Sequence, residues 1–196
     1  MNFLECFKVK SSEIIKESYE VEDTRITLNI SKEKYNDLLY SFIERLEEPC
    51  FFILENPLTL QEEKRLRRNE TDSFHCQTYY IDGLTKDIVK YIIDNYLEIF
   101  KNDGLISFGF ASHYSHDEIM FTKYNVAYIF SRDVQKYLKM LDELKISESN
   151  NFVTAWDTFS QKEPGDAFDL NSNEKNVNTF INYATINLGM YKAEIR

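Results

Sequence analysis

LISFGFASHYSHDEIMFTKYNVAYIF, residues 105–130, decides the fold class. LISFGFA, 105–111, is apolar and aromatic and reads as a strand, with Gly109 marking a bulge or a close backbone approach. SHYSHD, 112–117, supplies turn residues, and EIMFTKYNVAYIF, 118–130, returns as one long or two short strands. Two strands joined by a short turn form a hairpin, so at least part of the sheet is antiparallel.

Upstream, VEDTRITLNI (21–30) alternates as a half-buried strand, and Ser31 then stands where a helix cap belongs. Tyr35, Leu38, Leu39, Phe42, Ile43 and Leu46 recur at helical spacing until Pro49 stops the pattern. CFFILE (50–55) reads as a buried strand, 59–69 as a charged helix, and FHCQTYYI (74–81) as a third strand. Asp82 and Gly83 signal a turn and Thr85 an N-cap. Ile88, Val89, Ile92, Ile93, Leu97 and Phe100 then give the clearest amphipathic helix, ended by Asn102, Asp103 and Gly104.

Downstream, Ser131 is placed to cap a helix whose stripe is Val134, Tyr137, Leu138, Leu141 and Leu144. ISESNN reads as loop, NFVTAWDTF (151–159) as a short strand entering a turn, and QKEPGD as loop. A last helix is expected over 174–187 with Val177, Phe180, Ile181 and Ala184 inward, before Gly189 and the MYKAEI tail. The order specifies an α+β fold: a single mixed, mainly antiparallel sheet with amphipathic helices packed on it. Residues 1–196 read as one domain, with 1–20 as a loosely packed N-terminal segment; a division near 50 or 104 is the alternative.

A chain of 196 residues is long enough to bury roughly 70% of the surface its unfolded form exposes. Hydrophobic residues make up 43% and charged residues 29%, a globular balance, while 15 Phe and 13 Tyr make the chain rich in aromatics. Cys6, Cys50 and Cys76 are odd in number and far apart, which argues against a disulfide framework and suits a reducing cytoplasm. No secretory signal or membrane-length apolar run is read, so the expectation is a cytoplasmic protein with no membrane association. A net charge of −10 repels a phosphate backbone and argues against nucleic acid. The one basic run, KRLRR (64–68), lies between Glu62, Glu63 and Glu70, Asp72, as on a salt-bridged helix face. Acidity suits docking to a basic protein.

The hairpin turn also holds the main candidate site. His113 and His116 sit beside Asp117 and Glu118, and His75 is the only other histidine. If strands 74–81 and 105–111 are neighbours, the three imidazoles could ligate a divalent metal, with Asp117 or Glu118 orienting a ring or activating a water. The bland reading is a polar turn or a partner-contact loop presenting Tyr114, Asp117 and Glu118. HxxHDE is no established metal signature, and the leading expectation carries no cofactor. Cys76 adjoins His75, but consecutive strand residues face opposite ways and cannot share a proton. No GxSxG, P-loop or GxGxxG occurs.

TAWDTFSQKEPGD (154–166) is the second candidate. Trp156 and Phe159 either hold a long connection onto the core, with Asp157 bonding turn amides, or present Trp156 beside Asp157 as an interface anchor. A third possibility is an aromatic ligand pocket from Tyr79, Tyr80, Phe108, Phe110, Tyr124 and Tyr128, although alternating aromatics more often pack sheets.

SFGFASHYSHDEIMFTKYNVAYIF through VTAWDTF resembles small uncharacterised proteins of Bacillus-type bacteria, some of which resemble immunity partners of polymorphic toxins; the resemblance covers about residues 50–160. It implies an acidic cytoplasmic protein that neutralises a toxin by occluding its active site, and it transfers no contact residue. Three functions compete: a non-enzymatic immunity or inhibitor protein for a basic partner, a metal-dependent hydrolase or metal-binding domain, and a small-molecule sensor or sequestering domain.

Overall fold

The structure, a computed structural model, describes residues 1–67, 69 and 74–193. In chain order the elements are β1 (Phe7–Lys8), β2 (Ser18–Glu22), β3 (Arg25–Asn29), α1 (Tyr35–Arg45), β4 (Cys50–Pro57), α2 (Leu60–Leu66), β5 (Cys76–Leu84) and α3 (Lys86–Asn102). There follow β6 (Ser107–Ser112), β7 (Glu118–Phe121), β8 (Val126–Phe130), α4 (Val134–Glu143), β9 (Ser147–Glu148), β10 (Asp166–Ala167), α5 (Val177–Asn187) and β11 (Tyr191–Lys192). One sheet has the order β11-β5-β4-β6-β7-β8-β3-β2-β9, and β1 pairs with β10 in a small clasp. Among the described residues only the β2–β9 contact is parallel, so the fold is α+β on a mixed, mainly antiparallel sheet.

The hairpin at 105–130 forms as expected, with the return split into β7 and β8 around the turn at Lys123–Asn125. Gly109 marks a close approach: a Cβ there would collide with the Ile119 carbonyl oxygen and Met120 Sδ. Its register against β4 and β7 is unbroken, so it is no bulge; the register shift lies between β4 and β5, at Cys50 to Phe52.

The apolar stripes of the four longer helices converge on one sheet face. Phe52, at the centre, meets Phe100 of α3 at 5.6 Å, Phe180 of α5 at 5.5 Å and Phe110 of β6 at 5.1 Å. Tyr35 of α1 meets Phe121 at 4.4 Å, and Phe42 stacks on Tyr137 of α4 at 4.9 Å. Burying each such ring is worth on the order of 2–3 kcal/mol, so this layer dominates the stability.

Several expectations are corrected. The 21–30 strand is the second arm of a hairpin: Asp23, at φ 57°, turns the chain between β2 and β3, a backbone state that Asp tolerates. The α1 N-cap is Lys34 rather than Ser31, whose backbone N–H and hydroxyl both bond Glu17. Asp133 caps α4 in place of Ser131, while Thr85 caps α3 as expected. Residues 156–158 form a single 3-10 turn, not a strand, because the Asp157 carboxylate accepts from Thr154 N–H and Oγ at 2.8 Å each. The N-terminal segment is built into the core: Leu4, Cys6, Phe7 and Ile15 are buried, and Met1 donates to the Ile15 carbonyl at 3.0 Å. Of the basic run and its acidic flanks, Arg68, Glu70 and Asp72 lie outside the described residues, as do residues 194–196 of the tail.

Candidate functional site: the outer face of the sheet

Strand side chains alternate, so what one face devotes to the helices leaves a second, independent set on the other. The register fixes that set residue by residue. One row crosses the sheet as Phe51, Ala111, Glu118, Phe130, Arg25 and Glu22. The next runs Tyr191, Tyr80, Ile53, Gly109, Met120, Tyr128, Thr27 and Glu20. Glu55 follows beyond Ile53, between Thr78 and Ser107. All of these point away from Phe52, Phe110, Ile119 and Ile129, the core-facing positions between them.

This outer face is aromatic and acidic. Phe130 is 38% and Tyr191 48% exposed, and Phe51, Tyr80 and Tyr128 are half-buried. Arg25 is the sole cation in the two rows and is paired with Glu22. Burial pushes the Glu118 carboxyl above its ordinary range, and the charge of Glu55 adds to the rise. Ring contacts link Phe51 to Tyr80, Tyr80 to Tyr191 and Tyr128 to Phe130 at 6.4, 6.0 and 6.3 Å. At the Asn29 end the face is closed by chain, where Asn29 Nδ2 donates to the carbonyls of Lys16 and Val153.

At the opposite corner, near the 112–117 turn, Asp82 organises a polar and aromatic group. Its Oδ1 accepts from His113 Nε2 at 3.1 Å and its Oδ2 accepts from the Tyr191 hydroxyl. The His113 ring in turn lies 4.5 Å from that of Phe51.

The five residues considered for a metal do not meet. The His75 carbonyl bonds Leu58 N–H just past one end of β4, while His113 N–H bonds the Pro49 carbonyl just before the other; β4 itself spans about 23 Å. His75 contacts Glu63 instead, with Nδ1 3.3 Å from the carboxylate. His116 is exposed at φ 60° in the turn. Among the described residues no group of three or more His, Cys, Asp and Glu side chains is arranged as metal ligands.

Asp117 is 4% exposed and faces the helices. It accepts from Ser131 Oγ at 2.6 Å, Lys136 Nζ at 2.8 Å and Tyr137 Oη at 2.8 Å. Burial opposes its ionisation, but these donors outweigh burial and hold its carboxyl below the usual range. It ties the turn to α4 and is not available to a partner; Glu118, one residue on, is on the outer face.

The other proposed contacts separate as well. Tyr114 is 75% exposed at the turn. Trp156, 49% exposed, sits at the far end of β7, edge-on to Tyr124 at 4.8 Å and to Phe159 at 5.6 Å. The six-aromatic pocket is divided by alternation: Tyr79, Phe108 and Phe110 face the core, Tyr80 and Tyr128 the outer face, and Tyr124 lies in the β7–β8 turn. A hollow of about 330 Å³ lies by the β1–β10 clasp between Lys8, Lys10, Phe159 and Lys162, where Glu163 and Asp166 offset the lysines. It touches none of the outer-face residues.

Asp82, Phe51, Glu55, Phe130 and Tyr191 are the site residues that motif reading passes over. For Phe51 and Glu55 the signal is the alternation Phe51, Ile53, Glu55 against Phe52, Leu54 in β4, which divides a stretch that reads as uniformly buried. No family model, curated protein or solved structure matches the chain. Among the described residues no helix is long and apolar enough to cross a membrane.

Proposed function

We propose that this is a non-enzymatic binding protein of the immunity or inhibitor kind, which docks its outer sheet face on a basic protein and neutralises it by occlusion. The observation that carries the reading is that face: half-exposed aromatic side chains in register, interspersed with carboxylates, with Arg25, already paired to Glu22, as the one cation in its two described rows. Aromatic anchors supply contact area at low entropic cost, and the acidic surround steers a cationic partner. From β11 to β2 the row covers seven inter-strand spacings of about 4.8 Å, or about 34 Å, broad enough for the roughly 800 Å² per partner of a standard interface. The net charge of −10 extends the attraction beyond the contact. Resemblance to immunity partners narrows the class of partner to a toxin.

The test is calorimetric titration with purified basic toxin domains at low and high salt, repeated with the variant Glu118→Lys/Phe130→Ala. The expected outcome is a stoichiometric complex that is weaker at high salt and is lost in the variant. A complex indifferent to salt and to both substitutions contradicts the proposal.

A further inference from the structure

The corner formed by Phe51, Tyr80, Asp82, His113 and Tyr191 has a composition that a packed core does not require. Three rings and an imidazole stand at the edge of the sheet around one carboxylate, and Tyr191 and His113 are each about half exposed. Asp82 is itself 43% exposed. Its two oxygens each accept one internal hydrogen bond, from His113 Nε2 and the Tyr191 hydroxyl. A carboxylate has about four lone-pair sites, so each oxygen retains accepting capacity toward solvent. The two bonds fix the carboxylate in orientation, and among the described residues no lysine or arginine pairs with it.

We infer that this corner seats an arginine side chain of the basic partner, the guanidinium stacking on the Phe51–Tyr80–Tyr191 rings and donating to Asp82. The inference rests on the reading of the outer face as a docking surface and names the chemistry of one contact on it. Charge complementarity selects a cation, because the group is built around the carboxylate side chain of Asp82 and the row of Phe51 continues to Glu118. Planarity selects arginine over lysine: a guanidinium stacks on aromatic faces and donates in a fork that matches a carboxylate, whereas an ammonium is a strongly hydrated point charge. Tyr191 and His113 act as positioning residues, since each hydrogen-bonds one oxygen of Asp82.

The experiment is an NMR titration of the isotopically labelled full chain with three blocked tripeptides of the form Gly-X-Gly, where X is arginine, lysine or citrulline. Citrulline keeps the shape of arginine and loses its charge. Expected are shifts confined to residues 51, 80, 82, 113 and 191 with the arginine peptide, and weaker ones with lysine. Binding should fall about fivefold or more in Asp82→Asn, the scale of a partly desolvated cation–π and charge contact. Tyr191→Phe, which removes only the hydroxyl, is expected to lie between parent and Asp82→Asn. Equal response to citrulline, or arginine shifts that fall around Glu55 and Glu118 and spare the corner, overturn the inference and leave the docking face standing. Absence of any shift on the outer face with both cationic peptides overturns the inference and the docking reading together.

Discussion

Asp117 and Glu118 are neighbours in sequence and face opposite sides of the sheet. Asp117 turns toward the helices, where Lys136, Ser131 and Tyr137 satisfy it and hold its carboxyl in the ionised form. Glu118 turns outward among Phe51, Ala111 and Phe130, where burial and the charge of Glu55 raise its carboxyl above the ordinary range. The same contrast holds for Phe52, packed on Phe100 and Phe180, against Phe51, whose ring meets Tyr80 and His113 at the surface. One face has its polar groups paired and its rings interlocked, as stability demands; the other retains aromatic and acidic groups that folding alone does not use.

Substitutions sharpen that contrast. The largest effect is expected at Phe52→Ala, which should cost about 3–5 kcal/mol of unfolding free energy, while Phe51→Ala should cost well under half of that; urea denaturation of the pair reads both. Parity between them would erase the distinction between the faces. Next comes Asp117→Ala, expected to cost about 2–3 kcal/mol, because Lys136 and Tyr137 lose their acceptor and Lys136 is only partly exposed to compensate. The Asp117 contribution also has a pH signature. Its carboxyl is depressed in the folded chain, so its stabilisation is fully present above the unfolded carboxyl value and is lost as pH falls through the lower folded one. Denaturation followed from pH 6 down to pH 2 should show a shallower decline in Asp117→Asn than in the parent.

A smaller effect of opposite sign is expected at Asp103. It is buried at the end of α3; burial, with a contribution from Asp169, raises its carboxyl to about 6, although the Leu105 N–H donates to it. A raised folded value means that the folded state binds the extra proton, so stability falls as pH rises from about 4 to about 6 and the penalty persists above. Asp103→Asn should therefore stabilise the chain at pH 7 by about 2 kcal/mol and flatten the profile over that window, as followed by thermal melts. Smallest is Glu118→Gln: it is partly exposed, so relief of its unfavourable ionisation should change stability by less than about 1 kcal/mol, while the removed charge weakens docking.

Much of this arrangement was legible beforehand, and for a physical reason. The α1, α3, α4 and α5 stripes and the 105–130 hairpin announce themselves through local periodicity. The two-residue strands β1, β9, β10 and β11 carry no such signal, because they exist through partners distant in sequence. VEDTRITLNI concealed a hairpin because Asp23 supplies a left-handed turn that glycine usually announces. The site was less legible than the fold. His113 was visible as a chemical residue, but its partner Asp82 reads as a turn residue, and Tyr191 as part of a tail. Only the adjacency of β11, β5, β4 and β6 brings them together, and that order is a long-range property. The His75 cluster failed for the complementary reason: β4 lies between β5 and β6, and His75 and His113 sit at opposite ends of it.

The most direct test of the two-face account is a titration of the parent and of Phe51→Ser/Phe130→Ser with a ten-residue arginine peptide, alongside the urea midpoint of each. The account predicts an affinity loss of about tenfold, the scale of losing exposed aromatic anchors, with the midpoint lowered far less than by Phe52→Ala. Unchanged affinity, or a loss of stability like that of Phe52→Ala, would contradict it.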